Sequence, residues 1–357
     1  MSEVEIFSSH SEVRSGLEFG QSNYVASTPD IEPQIRTLRN PVFSPDLLSL
    51  LRCPSCESEL HAADEAGYRC SSCGRVFPVV RGVPRFVDAH NYADSFGFQW
   101  QRFARTWMDE ANRHDAELNF RKQTGFTPEE LRGKLVLDVG CGMGRFAEVA
   151  TRWGARVVGI DLSAAAEVAA HNLVDREFVA LQADVFALPF APGTFDHIYS
   201  IGVLHHTPDC ERAFKGLPRY LKPGGNIALW LYSAYNKWYR FTDIYRKFSK
   251  RVSARNLYRF GRVAVPAFYH LDRGLGMLPL VGRPLAGAMH HVFLVSRQSD
   301  PERRLLTTLD WYSPKYQSKH TYEQVFRWFE SCGLEDLHVV EMPIAVKGRK
   351  PLPKTVA

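Results

Sequence analysis

Apolar positions in the middle of the 357-residue chain gather into short runs bounded by glycine and acid residues. Leu135, Val136, Leu137 and Val139 surround a single acid, Asp138, and Gly140, Gly142 and Gly144 follow at alternate positions. A run this short and apolar reads as a buried parallel strand leaving through a tight turn, with a helix starting near Arg145. The run 155–161 reads as a second strand ending in Asp161, and 181–185 as a third ending in Asp184. A fourth ends near Ser200, and a fifth spans 226–232 after Pro223, Gly224 and Gly225. Residues 334–342 and 344–348 read as a closing hairpin. Two capping boxes mark helix starts: Thr127 to Glu130, with Pro128 at the first helical position, and Thr321 to Gln324. The second helix carries Val325, Trp328 and Phe329 on one side and stops at Gly333.

The flanking segments follow other patterns. Residues 1–45 are polar and net acidic with few periodic apolar positions, which predicts a disordered N-terminal segment. Residues 91–133 carry Tyr92, Phe96, Phe98, Trp100, Phe103, Trp107, Phe120 and Phe126. One or two helices are expected there, serving as a lid, as interdomain packing, or as both. The stretch 237–262 holds nine Lys or Arg and one acid, Asp243, interleaved with aromatics. Trp238, Phe241, Tyr245 and Phe248 recur at helical spacing. Three roles fit it: a packed helix with a solvated basic face, a cap over an anionic acceptor, or contact with an acidic membrane surface or nucleic acid. Gly274 to Gly287 reads as a flexible apolar connection. The expected organisation is therefore 1–45 disordered, 46–90 a small module, 91–133 a helical lid or linker, and 134–357 one α/β domain with an insertion at about 233–310.

The glycine turn carries the first chemical signal. Glycines without Cβ let a ligand lie on the backbone at the carboxyl edge of an α/β sheet. A dinucleotide fingerprint needs G-x-G-x-x-G, whereas this turn is G-x-G-x-G. Asp161 could accept hydrogen bonds from both ribose hydroxyls or serve only as a helix cap, and Asp184 could accept from an adenine amino group. In order along the chain stand Leu137 to Gly144, Gly159 to Ser163, Ala183 to Val185, Phe195 to Ser200, and Leu221 to Gly225. On these motifs the run from about Lys134 to Tyr232 resembles the class I S-adenosylmethionine-dependent methyltransferases. The resemblance implies a seven-stranded, mostly parallel sheet with helices on both faces and one antiparallel strand in the last hairpin. It also implies that Asp138, Gly140, Cys141, Gly142 and Gly144 hold the amino-acid part of the cofactor. Asp161 would hold ribose and Asp184 and Val185 adenine, with Leu162, Ile201 and Gly202 as further cofactor-binding residues.

Cys53 and Cys56, then Cys70 and Cys73, form two C-x-x-C knuckles, the soft tetrahedral donor set of a structural zinc site, with disulfides or an iron–sulfur cluster as the alternatives. The segment from Leu51 to Val87 resembles the small zinc-ribbon proteins that activate tRNA and protein methyltransferases. Such a ribbon would draw most of its folding energy from the metal. No secretory signal is evident, so a reducing, cytoplasmic setting is expected. The net charge of +5 is too mild to indicate nucleic acid by itself. No run is apolar enough for a membrane span.

Methyl transfer needs alignment of a nucleophile, and a base if the acceptor is a hydroxyl or an ammonium. His205 and His206, after the fourth strand, are the first candidates, with loop bracing as the alternative role. Tyr312, Tyr316 and His320, in an expected polar-aromatic loop over 310–321, are the second, with a rigid turn at Pro314 as the alternative. The expected acceptor is a small or medium molecule: a glycan, a lipid-linked intermediate or a natural product. An RNA or protein acceptor gripped by the ribbon, and a catalytically inactive binding fold, are the rival readings. Peripheral membrane contact through 237–262 is a further expected partner class, and oligomeric state is not legible.

Overall fold

The computed structural model describes residues 49–63, 67–88, 91–109, 114–235, 245–292 and 294–353. The expectations for 1–45 and for Trp238 and Phe241 fall outside these residues.

Five short strands build the N-terminal module: β1 (Leu60–Ala62), β2 (Tyr68–Cys70), β3 (Val76–Phe77), β4 (Val79–Val80) and β5 (Val83–Pro84). Seven longer ones form the main sheet: β6 (Leu135–Val139), β7 (Arg156–Asp161), β8 (Phe178–Gln182), β9 (Phe195–Ile201), β10 (Leu221–Trp230), β11 (Glu335–Val339) and β12 (Ala345–Arg349). Their order is β11-β12-β10-β9-β6-β7-β8, and β12 alone runs antiparallel to its neighbours. Alternate residues of β6 serve opposite faces, as strand geometry demands. Leu135, Leu137 and Val139 join one apolar cluster, while Val136 joins the other. Both faces are therefore covered, which explains why the central strands read as continuous apolar runs. The third strand is a correction: it ends at Gln182, so Asp184 lies in the following turn.

The helices are α1 (Asp94–Arg102), α2 (Asp115–Thr124), α3 (Pro128–Leu131), α4 (Arg145–Arg152), α5 (Ala165–Asn172), α6 (Cys210–Gly216), α7 (Ala254–Gly276), α8 (Gly282–Val292), α9 (Pro301–Tyr312) and α10 (Tyr322–Ser331). Thr127 and Thr321 complete the two capping boxes. The aromatic segment divides its work. Phe120 of α2 and Phe126 pack into the sheet, Phe120 against Tyr199 at 5.1 Å between ring centres. Tyr92, Phe96, Trp100 and Trp107 face the cleft at the strand ends. The segment 274–287 is not a flexible connection: α7 and α8 form a helical hairpin across it. Gly261 lets α7 approach α9, since a Cβ there would stand 3.1 Å from Leu305. Residues 310–312, expected in a loop, are the last turn of α9. None of the described helices is long and apolar enough to cross a membrane.

The N-terminal module is joined to the sheet edge. The Phe86 N–H donates to the Gln182 carbonyl at 2.8 Å, and Arg85 bridges Gln182 in parallel register. The Arg52 N–H donates to the Pro189 carbonyl at 3.0 Å. Leu51, Phe77 and Phe86 share a core cluster with Leu181 and Phe190. Arg81 (3.0 Å) and Arg85 both pair with Glu167 of α5, a carboxylate only 3% exposed. A buried carboxylate needs such partners, so this contact ties the module to the larger fold.

Candidate functional site

The glycine turn leaves β6 and is pinned to the end of β7. The Gly140 and Cys141 N–H groups both donate to the Ile160 carbonyl, at 2.8 and 2.9 Å. Gly140 holds φ +83°, and a Cβ there would stand 2.3 Å from Val203. Gly142 holds φ +53° under the Trp100 indole, 3.3 Å from where its Cβ would lie. Only glycine meets both demands without strain. Asp161 braces the turn: one carboxylate oxygen accepts from the Gly142 N–H at 3.0 Å. The other accepts from the Ser163 N–H and hydroxyl, at 2.8 and 2.7 Å. Burial raises its pKa, and these hydrogen bonds offset that only in part.

Above the turn lies a cavity of about 250 Å³. Gly140, Cys141, Gly142, Asp161, Leu162, Val185, Ile201, Gly202 and His206 line it. Gly144 and Asp184 do not; the Asp184 carboxylate accepts the Phe186 N–H at 3.0 Å. Asp138 is buried and also off the cavity wall, and one of its carboxylate oxygens has no hydrogen-bond partner. Burial pushes its pKa up to about 8, and the charge of Asp161 adds to the rise. The Tyr199 hydroxyl is near enough to oppose that rise but is not aligned to donate. A buried carboxylate left in this state fits a ligand that brings positive charge to the turn. The side-chain-free backbone, Asp161 at the tip of β7 and this orphaned acid together suit the sulfonium nucleoside S-adenosylmethionine.

The catalytic candidates separate. His206 lines the cavity, and one ring nitrogen lies 3.0 Å from the Tyr316 carbonyl. A carbonyl only accepts, so Nδ1 carries the proton and Nε2 keeps its lone pair. Burial pulls the His206 pKa down to about 4. His205 is fully buried behind it and stacked on Tyr232, with neither ring nitrogen bonded, and does not reach the cavity. The Tyr312 hydroxyl donates to the Leu294 carbonyl at 3.1 Å. His320 pairs with the Ser318 hydroxyl at 2.7 Å and packs on Trp328. Tyr316 contributes its carbonyl to His206. None of Tyr312, Tyr316 and His320 lines the cavity: the Tyr312 hydroxyl is held at Leu294, and 316–320 lies against 205 and 232–234. Residues 312–320 brace this site, while Asp310 and Trp311 at the start of the segment reach the cavity.

Several other residues that line the cavity were not singled out by sequence reasoning. Thr307, Asp310 and Trp311 stand at i, i+3 and i+4 of α9, a helical spacing that could have flagged them. Asp310 accepts from the Gln99 side-chain amide at 2.9 Å, and burial raises its pKa to about 6. Arg145, at the start of α4, lies over the Trp107 and Phe146 rings at 4.9 and 4.8 Å. Its Nε and one Nη make no hydrogen bond. Burial, then the nearby charge of Arg303, pull its pKa down to about 10.

A second site lies in the N-terminal module. The sulfurs of Cys53, Cys56, Cys70 and Cys73 all lie within 4.8 Å of one another, and none is in a disulfide. Cys53 and Cys73 are 3.7 Å apart, and Cys56 and Cys70 are 3.4 Å apart. Four thiolates at about 2.3 Å from one zinc ion require spacings near these. Zinc is the metal this donor set takes, in a closed structural site.

Residues 137–229 match the model of the methyltransferase domain, and 44–82 match that of the Trm112p-like proteins. The chain is 31% identical over 160 residues to a ubiquinone biosynthesis O-methyltransferase of Pseudomonas paraeruginosa, covering 43% of this chain and 68% of that protein. It is 32% identical over 147 residues to the sterol 24-C-methyltransferase erg6 of Schizosaccharomyces pombe, covering 39% and 37%. The chain thus spans well under two thirds of that sterol enzyme's length. Among solved structures, the complex of the Haloferax volcanii Trm112 methyltransferase activator with its methyltransferase aligns at TM-score 0.42 and 12% identity, covering 73% of this chain and 99% of that chain. The chain belongs to the S-adenosylmethionine-dependent methyltransferases, with a Trm112p-like zinc ribbon preceding the methyltransferase domain.

Proposed function

We propose that the protein transfers a methyl group from S-adenosylmethionine to a small or medium acceptor with an apolar body. A lipid-linked, glycan or natural-product intermediate fits that description. The observation that carries this is the lining of one cavity. Gly140, Gly142 and Asp161 form its floor, Trp100 and Trp107 its roof, and His206 and Asp310 its proton-accepting groups. Bound there, the cofactor supplies a methyl group on a sulfonium whose departure leaves a neutral thioether. The chain's part is to hold and align. Asp161 would accept from the ribose, the glycine turn would lie under the amino-acid tail, and the aromatic roof would exclude water. The bare Nε2 of His206 is the group suited to take a proton from a hydroxyl or ammonium acceptor. Its lowered pKa keeps it neutral, and so competent, at any pH above about 5.

Two experiments test this. Titration calorimetry should show binding of S-adenosylmethionine that Asp161→Ala weakens severely; absence of binding to the wild type would leave only an inactive fold. Labelled donor incubated with cell-extract fractions should then label a solvent-extractable small molecule. Label that appears only in a ribonuclease-sensitive fraction would favour the ribbon-docked RNA reading instead.

A further inference from the structure

The helical hairpin of α7 and α8 packs on the body with one face and leaves the other uncovered. On its inward side Gly261 meets α9, Val265 is buried, and Tyr258 packs against Phe98 and Phe103. The outward face of α7 carries Phe260, Val263 and Leu271, exposed by 69%, 74% and 50%. These stand three and eight residues apart, so they share one stripe of the helix. The stripe runs into the loop joining the helices, where Met277, Leu278 and Leu280 are exposed by 85%, 48% and 99%. Leu280 holds φ +64°, a conformation that leucine adopts only at some cost, and still projects fully outward.

Charge accompanies the stripe. Lys247, Lys250, Arg251, Arg255, Arg259 and Arg262 are all exposed at or beside the start of α7. Arg259 and Arg262 each precede an apolar stripe residue by one position, about a quarter turn around the helix, and Arg255 lies on the same side one turn earlier. The one acid among the described residues of 245–292 is Asp272, and Arg297 already pairs with it at 3.0 Å. An apolar helix stripe with a cationic rim and an apolar tip is the pattern of a segment that lies in a membrane interface. A nucleic-acid site would use the cations but gain nothing from Met277 and Leu280. A self-association face would gain nothing from an unbroken positive rim, which repels its own copy.

We infer that the α7–α8 hairpin is a peripheral docking element for an anionic lipid bilayer. Phe260, Val263 and the 277–280 tip enter the acyl boundary, and the arginine rim meets the headgroups. The inference does not depend on the methyl acceptor. It would bring the cavity, whose wall includes α9, close to the membrane surface.

The test uses the full zinc-loaded chain and sedimentation with vesicles of phosphatidylcholine alone or with about a third phosphatidylglycerol. Binding should be at least tenfold stronger to the anionic vesicles and should weaken as salt rises. Met277→Asp with Leu280→Asp should lower the partition at least tenfold, and Arg255→Glu with Arg259→Glu should reduce the salt-sensitive part. All four positions lie off the cavity, so unchanged cofactor affinity and melting temperature would show intact folding. Three outcomes overturn the inference: no preference for anionic vesicles, binding that the aspartate pair leaves intact, or a wild-type dimer that the aspartate pair makes monomeric. Salt-sensitive RNA binding that survives Met277→Asp with Leu280→Asp, without vesicle binding, would also overturn it.

Discussion

Asp138 should make cofactor binding depend on pH in a calculable way. Its carboxyl sits beneath the glycine turn with its pKa raised by burial to about 8, against an ordinary 3.8. At pH 7 the ligand-free protein therefore keeps this group about nine-tenths protonated. A donor bearing sulfonium and ammonium charges favours the ionised form, so binding should expel that proton. If only the ionised form binds well, affinity should rise up to about fiftyfold from pH 6 to pH 8 and then level off. Calorimetry of S-adenosylmethionine in buffers of different ionisation enthalpy measures the released proton directly. Asp138→Asn should bind weakly, with the Asp138 part of the pH dependence gone. The sign reverses for stability of the ligand-free protein. A carboxyl raised in the folded state favours folding most below pH 4. That contribution shrinks by about 1.4 kcal/mol for each pH step as pH climbs toward 8. Ligand-free Asp138→Asn should thus melt above the wild type at pH 9. A wild type whose affinity stays flat within twofold across this range, with no proton released, would refute the reasoning.

Gly140→Ala should lose cofactor binding and about 2 kcal/mol of stability, since both its φ and the Val203 contact forbid a Cβ. Gly193→Ala, at φ +64° with nothing within 4 Å, isolates the backbone part in denaturant melts. Cys53→Ser should drop the zinc content from about one per chain toward zero by mass spectrometry and melt the ribbon first, because its strands are only two or three residues long. Glu167→Ala should cost about 3 kcal/mol by leaving Arg85 without its carboxylate, and should expose the 81–88 region to protease. Arg145→Met should leave the melting temperature unchanged, since no ion pair among the described residues is lost. It should weaken S-adenosylhomocysteine about tenfold and spare 5′-methylthioadenosine, which lacks the carboxylate; equal effects on both would refute a carboxylate role for this guanidinium.

Local pattern and geometry account for what was legible beforehand. Strands β6, β7 and β9 are covered on both faces and so are mostly apolar, which makes their runs visible in one dimension. Capping boxes and C-x-x-C knuckles are likewise chemistry within four residues. Where an element depends on distant partners, the pattern failed. The third strand was displaced because β8 pairs from Phe178 while the apolar signal continued to Val185. The 310–312 stretch looked like loop because its aromatic and polar residues pack against α1 and the cavity instead of solvent. Of the two adjacent histidines, which one faces the cavity depends on a short turn at 204–206 and on a carbonyl 110 residues away.

Sequence alone therefore determined the parallel sheet, the glycine turn with Asp161 at the next strand's tip, and the thiolate quartet. Each is written in contiguous residues whose backbone demands admit few alternatives. Tertiary structure decided what surrounds them: the ribbon's attachment through Glu167 and Gln182, the choice of His206 over His205, and the unpaired Arg145 and orphaned Asp138. Those properties come from burial and from groups converging out of separate elements, and neither burial nor convergence has a signature in local order.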